Sequence, residues 1–70
     1  MHLHLSINTR PVKNTAKIES ANPEHIGTVA GIRFFEHPFY GDEAPLIIKQ
    51  NGEWRVTDFY EVPDLLELVD

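Results

Sequence analysis

Four histidines are the first residues in this 70-residue chain that could do chemistry, and His2 and His4 stand two apart. In a strand both rings would point to one side. With His25 or His37 and a carboxylate such as Glu36 they would make a ligand set for Zn²⁺. No pair has the spacing of a zinc finger, so the reading is no metal and no cofactor, with a histidine-based metal-binding protein as the lesser alternative.

Glu36, His37, Asp42 and Glu43 flank a loop and could share acid–base work. Nothing beside them marks a nucleophile. Cysteine is absent, and neither Ser6 nor Ser20 sits in a nucleophile elbow. So short a chain also encloses a deep pocket poorly. The expectation is a protein that is not an enzyme and has no catalytic residues.

Binding is the better-supported chemistry. All seven aromatic residues fall between Gly31 and Val62. Phe39 and Tyr40 lie in the run His37-Pro38-Phe39-Tyr40-Gly41-Asp42-Glu43-Ala44-Pro45, a loop by composition. Aromatic rings on such a loop serve as binding anchors, and Asp42 and Glu43 stand beside them. Phe39, Tyr40, Asp42 and Glu43 are therefore the candidate binding residues. In a domain this small, one of the two rings is expected to fold back into the core. Trp54 is expected to be core as well.

Charge narrows the partner. The net charge of −5 divides into about +2 over residues 1–33 and −7 over residues 34–70. That balance disfavours direct contact with a phosphate backbone. Arg10, Lys13 and Lys17 lack any nucleic-acid recognition pattern. An acidic half suits a protein partner or self-association. An alternative is an acidic mimic of nucleic acid that inhibits a DNA- or RNA-binding protein. No apolar run is long enough to span a bilayer, and no secretory leader is evident. The expectation is a cytoplasmic protein with no membrane contact, and the lack of cysteine fits a reducing compartment.

These residues need elements to position them. The chain makes a single small domain over residues 1–70. The pattern predicts a mainly β (β-rich α+β) fold: a small antiparallel sheet of four to five strands, curled or half-barrel, with a short C-terminal helix. Strands are expected near 2–7, 28–36, 45–50 and 53–58. In the first, Leu3, Leu5 and Ile7 share a face. In the second, Ala30, Ile32 and Phe34 face one way and Val29, Arg33 and Phe35 the other, with Gly31 mid-strand. Pro11 ends any strand or places it on an edge.

Residues 14–20 alternate weakly, which suits a short strand better than a helix. Pro23 to Ile26 could form a helical turn capped by Asn22 and ended by Gly27. Asn51-Gly52 is the strongest local signal, a type I′ hairpin turn. It pairs Gln50 with Glu53, Lys49 with Trp54, Ile48 with Arg55 and Ile47 with Val56. Asp58 to Glu61 has a capping-box pattern. Pro63 then opens the C-terminal helix, with Leu65, Leu66, Leu68 and Val69 on its apolar face.

Overall fold

The computed structural model describes residues 7–65. In chain order these form β1 (Arg10–Pro11), α1 (Thr15–Ser20), β2 (His25–Val29), β3 (Ile32–Phe35), β4 (Ile47–Gln50) and β5 (Glu53–Val56). The five strands make one open antiparallel sheet in the order β1-β5-β4-β3-β2. The chain is therefore mainly β, as its alternating pattern requires. The expected strand at 2–7 lies outside the described residues except for Ile7, which is not in a strand. The expected C-terminal helix falls outside them beyond Leu65, and Pro63 and Asp64, where it was expected to open, are loop.

The hairpin at Asn51-Gly52 forms in the expected register. Asn51 has φ 52° and Gly52 φ 77°, the left-handed pair that a type I′ turn demands. A second hairpin replaces the single strand expected over 28–36. Ala30 (φ 51°) and Gly31 (φ 82°) turn the chain between β2 and β3. Val29 then pairs with Ile32 and joins the face that holds Ile32 and Phe34. Gly31 is a turn residue, where its freedom at positive φ is what the backbone uses.

Residues 15–20 are a helix and not a strand. Asn14 caps it, its side-chain oxygen accepting from the Lys17 amide at 3.1 Å. Only Ile18 is buried, and one anchored residue carries no period. Asn22, at φ 50°, stands just beyond the C-cap Ala21, a place where left-handed backbone ends helices. It caps no following turn: the backbone enters β2 at His25, and Gly27 sits inside that strand at a register shift. Asp58 likewise caps no helix. Residues 57–64 run as loop, and Asp58 lies 3.7 Å from Arg10 instead.

The sheet buries apolar side chains on both faces. Ile18, Phe35, Ile47 and Trp54 pack on one, with Val12 and Val56 beside them. Phe34, Leu46 and Ile48 pack on the other, covered by Ile7, Phe59 and Val62. Trp54 is thus core, its ring edge-on to Phe35 at 5.0 Å. Its indole N–H donates to Glu19, and Lys49 donates to the same carboxylate at 3.3 Å. These two bonds hold the Glu19 carboxyl below its ordinary pKa, the indole bond first. They tie α1 to β4 and β5.

Thr57 is the one buried polar side chain among the described residues. Its hydroxyl donates to the Leu46 carbonyl at 2.8 Å and accepts from the Phe59 amide at 3.1 Å. This clamp carries the chain from β5 onto the second face.

Gly27 is tight for a spatial reason. A Cβ there would stand 2.9 Å from Val62 Cγ2. Gly27→Ala is expected to destabilise the fold by about 1–3 kcal/mol through overpacking. Val62→Ala in the same chain should recover part of that loss, a non-additive pair. Urea unfolding of the two single variants and the double variant checks it, and additive losses would count against the contact.

Candidate functional site

Residues 36–45 connect β3 to β4 as a compact turn. Its amides are largely accounted for within the turn itself. Gly41 N donates to His37 O at 3.0 Å, and Glu43 N to Tyr40 O at 2.9 Å. At the start of the loop, Glu36 N donates to Glu24 O at 2.9 Å, which anchors it to the residue before β2. Gly41, at φ 54°, gives the chain its reversal.

His37 organises the tip. Its Nδ1 accepts from the amides of Phe39 (3.2 Å) and Tyr40 (3.4 Å). Its ring lies 6.0 Å from the Phe39 ring and 4.8 Å from the Tyr40 ring. Accepting at Nδ1 requires an unprotonated nitrogen there. Partial burial, which disfavours the charged ring, holds the His37 pKa below its ordinary value.

Neither aromatic ring of the loop is core. Phe39 is 46% exposed and Tyr40 62%. The core role expected for one of them is taken by Phe34, Phe35 and Trp54. The rings instead wall a groove of about 350 Å³. Val12, Ile18 and Val56 make its apolar floor, and Lys13 and Lys17 stand on its helix side. The Lys17 ammonium lies 4.9 Å over the Phe39 ring, a cation–π distance. Asp42 and Glu43 are exposed and do not line this groove. The structure thus brings Phe39 and Tyr40 together with two lysines and keeps the two acids out of the groove lining.

A second cleft of about 300 Å³ lies on the other side of His37, where Glu24 and Glu36 meet Pro23 and Pro38. Its lining offers carboxylates and an imidazole but no hydroxyl, thiol or amine side chain. His2 and His4 lie outside the described residues. Among the described residues, no three His, Asp or Glu side chains are grouped to hold a metal. No helix among them is long and apolar enough to cross a membrane.

The lysines and the apolar floor were not legible as a site. Asn14 followed by a short run ending in Ser20 was the available signal, because a cap at 14 puts Lys17 in the first turn of a helix and Lys13 just before it. Comparison of the chain with protein-family models, with curated proteins and with solved structures finds no match.

His37 makes the loop sensitive to acid. The folded state favours the neutral ring, so this preference is fully present above about pH 6.5 and is lost as pH falls below that value. Amide NMR signals of Phe39 and Tyr40 should shift and broaden as pH drops from about 7 to about 5. A His37→Phe variant should lose that titration. Unchanged amide signals in the wild type would show that Nδ1 does not hold the tip.

Proposed function

We propose that this protein is a non-enzymatic protein-interaction module whose contact surface is the 36–45 loop. The observation that carries the reading is the pair Phe39 and Tyr40, exposed yet fixed through the His37 ring. Exposed aromatic side chains on a preorganised loop bind at low entropic cost, because the loop is ordered before the partner arrives. The partner is a protein, or a second copy of this chain. Asp42 and Glu43 sit next to the anchors in sequence and belong to the outer part of the same surface. The absence of cysteine suits a reducing cytoplasm, which is the compartment proposed here.

The nucleic-acid-mimic alternative has less support. Of the nine acids in residues 34–70, Glu53 and Asp58 each pair with a cation, Arg55 and Arg10. Such pairing interrupts a phosphate-like row of free carboxylates.

The test is capture of a binding partner by cross-linking in the source cell, compared across variants. Phe39→Ala and Tyr40→Ala are expected to leave the urea midpoint nearly unchanged, within about 0.5 kcal/mol, because both rings are exposed. Each should weaken capture by about 2 kcal/mol or more if it is an anchor. Asp42→Lys should weaken capture less, as a rim charge. Unfolding of the aromatic variants would make the loop structural, and undiminished capture would remove it as the contact surface.

A further inference from the structure

The groove beside the aromatic pair differs in charge from the rest of the molecule. The chain carries 11 acids against 6 bases, yet among the described residues no carboxylate lines the groove. Lys13 and Lys17 stand over it, and among the described residues neither forms an ion pair. The acid nearest in sequence, Glu19, is occupied by Trp54 and Lys49. Other bases are engaged: Arg10 with Asp58, Arg55 with Glu53, and Arg33 over the Phe35 ring at 5.4 Å. The two lysines at the groove are thus cations held beside an apolar floor, Lys17 over the Phe39 ring, and among the described residues no acid pairs with either.

We infer that this groove receives an acidic segment of a partner protein. An apolar side chain of that segment rests on Val12, Ile18 and Val56 against Phe39, and flanking carboxylates meet Lys13 and Lys17. The inference rests on the interaction-module reading and names the chemistry of its partner. Charge complementarity chooses this occupant. An acidic segment meets net repulsion from a chain of net charge −5 and finds two lysines at this groove, so complementarity favours docking here. A basic segment would be driven from the lysines toward Asp42 and Glu43. The volume, about 350 Å³, lies at the small end of ligand pockets, about 300–1,000 Å³, and suits one large side chain.

Docking here is by side chains and not by strand addition. The neighbouring sheet edge is β1, only two residues long, and its Pro11 has no N–H to give a new strand.

The experiment is an NMR titration of the full chain with two blocked synthetic peptides. One carries a central Leu-Phe pair flanked by aspartates; the other has lysines in place of the aspartates. The aspartate peptide should shift the amides of Lys13, Lys17, Phe39 and Tyr40, and should bind about tenfold or more tightly than the lysine peptide. Its affinity should fall as salt rises. The double variant Lys13→Glu, Lys17→Glu changes only exposed residues and should reverse the preference with the fold intact.

Equal binding of both peptides, tighter binding of the lysine peptide, or no binding by either overturns the inference. So do groove shifts that depend on protein concentration without peptide, which would make a second copy the occupant. If the peptides fail while Phe39→Ala and Tyr40→Ala still abolish capture, the module reading stands and only the acidic partner falls.

Discussion

A sheet that is apolar on both faces must be covered on both, and a chain of this length has little with which to do it. The problem is set by two pairs of neighbours. Phe34 and Phe35 are both buried, as are Ile47 and Ile48. In a strand, adjacent side chains point to opposite faces, so each pair feeds two separate clusters. One face is closed by the segments that hold Ile7, Phe59 and Val62. The other is closed by α1, which contributes a single buried residue, Ile18. So slight a helix cannot stand alone. The indole and Lys49 bonds to Glu19 add the polar half of its attachment.

The groove follows from that economy. A helix of six residues shields Trp54 but leaves Val12 and Val56 only partly covered. The 36–45 loop, which joins β3 to β4, reaches the same face and leaves a groove between itself and the helix. What separates the two is lined by floor residues that a longer helix would have hidden. Lys17 is there because the helix is there: the Asn14 cap sets the turn on which it sits, and Lys13 immediately precedes that cap. The charge pattern of the site is therefore a by-product of how one sheet face is roofed.

Much of the frame was legible in the residues, and the limits have physical causes. Asn51-Gly52 names its turn because both residues tolerate positive φ, and the whole register from Ile47 to Val56 follows from it. Trp54 was placed in the core by the same register. The Ala30-Gly31 turn gave no such warning. Alanine is a poor left-handed residue, so the run from Thr28 to Glu36 reads as one strand. Residues 15–20 hold one buried side chain, and neither a period of two nor of 3.6 can be drawn through one point. Phe39 and Tyr40 were identified as candidate anchors by their setting between two prolines. The part played by His37 could not be read, because it depends on a ring turned back onto the amides of its own loop.

The strand order has a kinetic side. The β2–β3, β3–β4 and β4–β5 pairings each join sequence neighbours, so they can assemble through short closures. β1 must instead join β5 across more than forty intervening residues, and closure entropy delays such contacts until local ones are made. Closure entropy thus weighs most on the arm from Arg10 to Ser20, β1 and α1 together. That arm carries Val12, Lys13, Lys17 and Ile18, while the meander carries Phe39 and Tyr40. The groove is a joint between a locally paired meander and an arm closed across a long loop, so its geometry depends on how firmly that arm is docked.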